Sequence, residues 1–375
     1  METFRVWQSI MKIAMFGIKG IPVPAGAEVV AEQVGSRLVQ RGHQVTVYVR
    51  PHYTPRTLTE YKGMRLIHLP SIPTKNLDAI THSFLSTLAV MASDAEVVHI
   101  HSTGNSIFAF LPRLRGMKTV VQSHGLDWQR AKWGRFAKWY LRLTDYSTVH
   151  FPNAVTAVSR KMTDYYQRLS RRKVVYIPNG VADVERVRPN LIRQFGLEGD
   201  DYLFFAARFV PEKGAHYLIE AFERLATPKK LVLAGDGDYG NAYARTLKSH
   251  ASERIIFPGF AQGALLQEFL SNAYLYILPS EIEGLSTGLL EAMNYGNCVL
   301  TSDIEENLEA VSEAGFTFQS RSVDDLAEKL QVLVSNEDLV RSRRLDSQER
   351  VRAFYNWETV TDQFEKLYRD IIFTN

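Results

Sequence analysis

The chain has 375 residues, too many for one ordinary core and suited to two domains of common size. Apolar residues make up 45% and charged residues 23%, a globular balance, and a net charge of +3 is too slight to argue for nucleic acid. A single cysteine, Cys298, excludes an internal disulfide and a cysteine-based zinc site, and its apolar surroundings predict a small buried hydrophobe. No apolar run approaches the ~20 residues of a membrane span. Glu2, Arg5, Lys12 and Lys19 interrupt the start, which argues against a secretory segment and for a cytoplasmic protein. Met1–Ile10 precede what reads as a natural first strand at Met11, and are either an extension or a mis-set start.

Lys12–Phe16 is a short apolar run, and Gly17–Gly26 after it is a loop of glycine and proline. Helical spacing of Val30, Val34 and Leu38 predicts a helix over Glu28–Arg41, closed by Gly42, with a strand at Val45–Val49. Strand, glycine loop, helix, strand opens a doubly wound α/β domain. Further strands are predicted at Met64–Leu69, Val97–His101 and Thr119–Gln122, and a helix at Leu77–Met91. His99 and His101 are expected on opposite sides of their strand, which argues against a two-histidine metal site. His124 stands just past a strand end and before Gly125, where open α/β sheets bind ligands. Asp127–Tyr146 interleaves Trp128, Trp133, Phe136, Trp139 and Tyr140 with Arg130, Lys132, Arg135, Lys138 and Arg142. Such a helix suits an anionic membrane surface or a phosphorylated acceptor; the plainer reading packs its aromatics on the domain and leaves its cations wet.

Val155–Val158 and Val174–Ile177 close the first domain, and Asp183–Pro189 reads as a linker. The predicted division is 1–185 and 186–355. The second domain opens with a strand at Tyr202–Ala206. Arg208 and Lys213 bracket the turn after it, where two cations can neutralise a diphosphate without a metal; a solvated surface loop is the alternative. Gly235, Gly237 and Gly240 follow a strand at Leu231–Ala234 and spell G-x-G-x-x-G. A dinucleotide enzyme would place an acid at the end of the next strand, and Arg254–Phe257 leads to Pro258-Gly259-Phe260 instead.

Ala273–Leu278 is a strand running into Pro279-Ser280. A helix starts near Ser286 with Leu289, Leu290 and Met293 on one face, and Cys298–Leu300 is the next strand. Glu283 lies in the loop and Glu291 on the helix. Between them Gly284, Leu285, Ser286 and Thr287 offer backbone N–H groups at a helix N-terminus, a ready phosphate site. Helices are predicted at Val323–Val334, Leu339–Ala353 and Trp357–Ile372.

The Glu283-x7-Glu291 pattern, followed by Ala292-Met293, a glycine and a small apolar strand, resembles the donor-site signature of family-4 retaining glycosyltransferases of the GT-B fold. Arg208-x4-Lys213-Gly214 resembles that family's diphosphate clamp, His124-Gly125 its donor-sugar histidine, and Ile177–Val181 its interdomain segment. The resemblance runs from Met11 onward. The first loop departs from it, with Gly26-Ala27 where many relatives have two glycines, which leaves the close-approach role of the second position open.

The resemblance implies two doubly wound Rossmann-like domains facing a cleft, the acceptor on the first and the donor on the second, with the C-terminal helix of 356–375 crossing back to pack on the first. It implies catalytic roles for His124, Arg208, Lys213 and Glu283. Donor contacts would come from Gly26, Gly259, Phe260, Gly284, Leu285, Ser286, Thr287 and Glu291. The partners would be a nucleotide diphosphate sugar and a glycan or lipid-linked acceptor, with no cofactor and no metal. The rivals are a nucleotide-sugar epimerase of the same fold, an NAD-dependent oxidoreductase, and a sugar- or membrane-binding module without turnover.

Overall fold

The structure, a computed structural model, describes residues 10–23, 25–74, 77–126, 128, 135–237 and 242–373. They fall into two compact units, Met1–Gly180 with Trp357–Asn375, and Val181–Asn356. In chain order the first unit holds β1 (Lys12–Phe16), α1 (Gly26–Gln40), β2 (Gln44–Val49), β3 (Glu60–Tyr61), β4 (Met64–His68), α2 (Asp78–Met91) and β5 (Val97–His101). It continues with α3 (Phe110–Arg113), β6 (Lys118–Ser123), α4 (Arg135–His150), β7 (Ala154–Ala157), α5 (Arg160–Leu169) and β8 (Val174–Tyr176). The second unit holds β9 (Tyr202–Ala206), α6 (Ala215–Glu223), β10 (Lys230–Ala234), α7 (Ala242–Lys248), β11 (Ile255–Gly259), α8 (Gly263–Asn272) and β12 (Leu275–Leu278). It ends with α9 (Thr287–Asn294), β13 (Val299–Ser302), α10 (Glu305–Val311), β14 (Phe316–Phe318), α11 (Val323–Val334) and α12 (Glu337–Phe354). The last helix, α13 (Trp357–Phe373), returns to the first unit.

The first sheet has the order β3-β4-β2-β1-β5-β6-β7-β8 and is parallel except where β3 pairs with β4. Its strands read as near-continuous apolar runs because helices cover both faces. Alternate residues of β1 show this: Ile13 and Met15 join one core cluster, and Ala14 and Phe16 join another. Trp357, Val360, Phe364, Leu367 and Tyr368 of α13 pack with Ile13 and Met15, so the helical repeat of the last segment buries its apolar stripe here.

His99 and His101 share one face, and their rings stack with centroids 4.2 Å apart. Side chains two positions apart on a strand point the same way, so the expectation of opposite faces was wrong in its geometry. Among the described residues, no group of three or more His, Cys, Asp or Glu could hold a metal ion.

The second sheet, β11-β10-β9-β12-β13-β14, is parallel throughout. The chain lays strands to one side of β9 and then jumps back to place β12 on its other side. That reversal parts the loops at the carboxyl ends of β9 and β12 and opens a crevice. Cys298 is buried beside this sheet, and burial pushes its thiol up to about 12.

The return of α13 is fastened by charge. Arg41 reaches Glu358, Asp362 and Glu365 at 3.0, 2.7 and 2.9 Å. Partial burial pushes the Glu365 carboxyl up, but hydrogen bonds from Arg369, Arg41 and His43 outweigh it and bring the group down to about 2. A carboxyl lowered from its ordinary 4.5 adds stability that is present above that value and is lost as pH falls towards 2. Acid titration followed by circular dichroism should therefore show Glu365→Gln losing less stability between pH 4.5 and 2 than the parent.

Candidate functional site

In the second unit the loops after β9 and β12 are joined at three points. Lys213 Nζ donates to Glu283 Oε1 at 2.5 Å, with side chains only 19% and 8% exposed. The Glu281 amide donates to the Glu212 carbonyl at 2.9 Å. Gly214 has φ +70°, and a Cβ there would lie 2.0 Å from the Pro279 carbonyl oxygen. Only glycine permits this approach, so the Lys213-Gly214 pairing in the sequence is a geometric requirement. The lysine ammonium has three donors; one is spent on Glu283, which aims the other two.

α9 begins at the mouth of the crevice. Ser286 caps it, its hydroxyl accepting from the Leu289 amide at 3.3 Å, which leaves the amides of Thr287 and Gly288 at the head of the helix. Gly288 places α9 against β9, since a Cβ there would lie 3.7 Å from the Ala206 carbonyl oxygen and 3.2 Å from the Tyr276 hydroxyl. Tyr276 was not singled out from the sequence, because it sits inside an apolar strand with no local signal. Burial first, and then the charges of Glu283 and Glu291, push its hydroxyl well above the ordinary range. Both acids therefore flank one buried ring.

Arg208 is exposed on the same loop as Lys213. That loop is held by the Phe209 amide donating to the Asp236 carbonyl at 2.9 Å. Glu281 is a further acid the sequence reading passed over; it accepts from the Tyr217 hydroxyl at 2.8 Å and pairs with Arg321 at 2.7 Å. Gly259 has φ +82°, and Phe260 beside it is 57% exposed at the end of β11. No acid ends that strand, and Gly240 lies outside the described residues.

Gly26 and His124 belong to the first unit. Gly26 opens α1 with nothing within 4 Å of where a Cβ would stand. His124 follows β6, with Nε2 3.2 Å from His101 Nδ1. Of the aromatic and basic segment, Asp127, Arg130, Lys132 and Trp133 lie outside the described residues, as do the side chains of Arg135, Phe136 and Lys138. Trp128 packs on Tyr165 and under Arg142, while Trp139, Leu143 and Tyr146 stand exposed at helical spacing on α4. No described helix is long and apolar enough to cross a membrane.

A parallel sheet whose switch point carries cations, a helix N-terminus and two acids defines a class: α/β proteins that bind a phosphorylated ligand at the strand ends. Two family models match the chain, Glycosyltransferase Family 4 over residues 24–185 and Glycosyl transferases group 1 over residues 187–352. Among curated proteins it is 22% identical to N-acetyl-alpha-D-glucosaminyl L-malate synthase of Bacillus anthracis, over 95% of this chain and 97% of that one. It is 25% identical to the phosphatidylinositol N-acetylglucosaminyltransferase gpi3 subunit of Schizosaccharomyces pombe, over 94% and 79%. Sucrose-phosphate synthase from Thermosynechococcus elongatus superposes with TM-score 0.82 at 21% identity, over 96% and 99% of the two chains. Anabaena HepE in complex with UDP-glucose superposes with TM-score 0.81 at 18% identity, over 96% and 100%. The chain belongs to the group 1, family-4-like glycosyltransferases and has the GT-B fold.

Loss of solvation pushes the Glu291 carboxyl up to about 7, although its side chain reaches solvent, which screens part of the effect. A carboxyl raised above its ordinary 4.5 costs stability as pH climbs through that value, and the cost is complete above about 7. Thermal melts of the ligand-free protein should show Glu291→Gln more stable than the parent at pH 8, with the difference gone at pH 4.

Proposed function

We propose that this glycosyltransferase retains anomeric configuration. It moves a sugar from a nucleotide diphosphate sugar to the hydroxyl of a glycan or lipid-linked acceptor, without a metal. The observation that carries the reading is the 2.5 Å contact of Lys213 with Glu283 beside the head of α9, a cation, a carboxylate and helix amides at one crevice. Lys213, Arg208 and the amides of Thr287 and Gly288 receive the diphosphate, Glu283 accepts from sugar hydroxyls, and Glu291 accepts from the ribose diol. Gly259 and Phe260 are read as the base platform and His124 as the histidine that meets the donor sugar. In the transfer the bond from the anomeric carbon to the diphosphate oxygen breaks as the acceptor oxygen bonds on the same face. The acceptor's proton passes to the departing oxygen.

Stabilising charge on the leaving group is the main work such a site can do. Lys213→Gln keeps a donor for Glu283 but removes the charge, so transfer should fall about 100–1000-fold with the fold retained. Near-parental turnover of that variant would remove the mechanism. A thermal-shift screen over nucleotide sugars identifies the donor, since a bound ligand raises the melting temperature according to its affinity, and NMR of the product reads its anomeric configuration.

The exposed stripe Trp139, Leu143 and Tyr146 on α4 favours peripheral contact with a membrane carrying a lipid-linked acceptor. Sedimentation with anionic vesicles should weaken about tenfold for the Trp139→Ser, Leu143→Ser double variant, and unchanged sedimentation would exclude that face.

A further inference from the structure

The first unit buries a row of polar groups within an apolar sheet. His101 on β5, Gln122 on β6 and Thr156 on β7 are partners in register across three neighbouring strands, and none of them reaches solvent. His99 stacks beside His101, and its Nδ1 lies 2.7 Å from the Tyr368 hydroxyl of α13. At the other end His101 Nδ1 meets His124 Nε2. His101 Nε2 and Thr156 Oγ1 are buried without a hydrogen-bond partner, while Gln122 acts on the His99 ring. Such a row costs stability.

Its backbone is held just as tightly. The His101 carbonyl accepts from Asn105 Nδ2 at 3.0 Å, and a Cβ on Gly17 would come within 2.2 Å of that oxygen. Ser102, the next residue, has φ +73°, a region that L-residues avoid and that gathers at functional sites.

We propose that His101 is a positioning residue that fixes the tautomer of His124, donating its Nδ1–H to His124 Nε2 and so leaving the His124 proton on Nδ1. Burial holds His101 well below the ordinary imidazole range and His99 at about 3, so both rings are neutral. Two neutral arrangements of the contact exist. If His124 donated, His101 would keep a buried Nε2–H with no acceptor; if His101 donates, only a lone pair goes unused. The orphaned donor is the costlier. His99 Nδ1 meets the Tyr368 hydroxyl at the far end, and the stacked His99 ring holds the plane of His101. His124 is then a neutral imidazole of one fixed tautomer and ring plane. That matters for catalysis through the reading of His124 as the donor-sugar histidine, on which this consequence rests.

The test separates the two. In 15N-labelled full-length protein, long-range imidazole correlations, assigned through His124→Gln, should show His124 protonated on Nδ1 in the parent. The pattern should persist in His101→Asn, whose amide nitrogen takes the place of Nδ1. In His101→Leu it should give way to a mixture containing the Nε2–H form. Turnover should follow the tautomer: kcat down about tenfold in His101→Leu, the scale seen when the outer partner of a ligating histidine is lost, and restored in His101→Asn. The donor KM should stay within about twofold, as for a contact that acts in the transition state. His124 protonated on Nε2 in the parent overturns the proposal whatever the variants do, as does an unchanged tautomer in a folded His101→Leu. A parent with the predicted tautomer whose turnover does not depend on His124 would instead overturn the reading of His124 as a sugar contact and leave the tautomer assignment standing.

Discussion

The contact between Lys213 and Glu283 joins residues 70 apart in the chain and at the ends of adjacent strands, and the architecture of the second unit converges on it. A mostly buried ion pair is a poor source of stability, because desolvation consumes most of what attraction supplies. The surrounding structure nevertheless goes to some length to form it. β9 and β12 must be neighbours, Gly214 must take a left-handed conformation against Pro279, and Glu281 must hold Glu212 through the backbone. Stability alone would be better served by two apolar residues. On the function proposed above, the pair is a charge held in readiness, with the ammonium pre-aimed by one carboxylate so that little reorganisation would remain when a phosphate arrives.

The first unit repeats the device with neutral groups. Its strand order also reverses, between β1 and β5. There Gly17 sits against the His101 carbonyl in the close manner of Gly214 against Pro279. One switch point carries cations and acids, the other a buried chain of imidazoles leading to His124. In both, a glycine lets two strand ends approach so that a polar side chain is fixed by contacts remote in sequence.

This explains what could be read from the sequence and what could not. Runs such as Lys12–Phe16 and Tyr202–Ala206 declare themselves, because a strand buried on both faces must be apolar throughout. Val323–Val334 declares itself through its spacing, and the Ser286 cap and Gly214 are local signals. The helices Arg160–Leu169 and Gly263–Asn272 were not predicted; both are short, although Ser159 before the first is a proper cap. Lys213 and Glu283 each read as candidate site residues in the sequence, but as free groups awaiting a ligand. Their mutual bond depends on strand order, which no local pattern encodes. Tyr276 and the chain from Tyr368 to His101 were hidden for the same reason.

The titration of Glu291 fits this picture from the opposite side. Loss of solvation raises its carboxyl to about 7, and among the described residues no cation pairs with it as Lys213 pairs with Glu283. A sequence optimised for stability alone would place a glutamine or an apolar residue there. Solvent already meets part of that carboxyl, and on the function proposed above a bound partner would complete its hydrogen bonds. Hydroxyl donors do that without cancelling the charge that the rest of the crevice is built to balance. On the function proposed above, the ribose of a nucleotide offers two such donors side by side, and one nucleotide sugar would engage both Glu291 and Lys213.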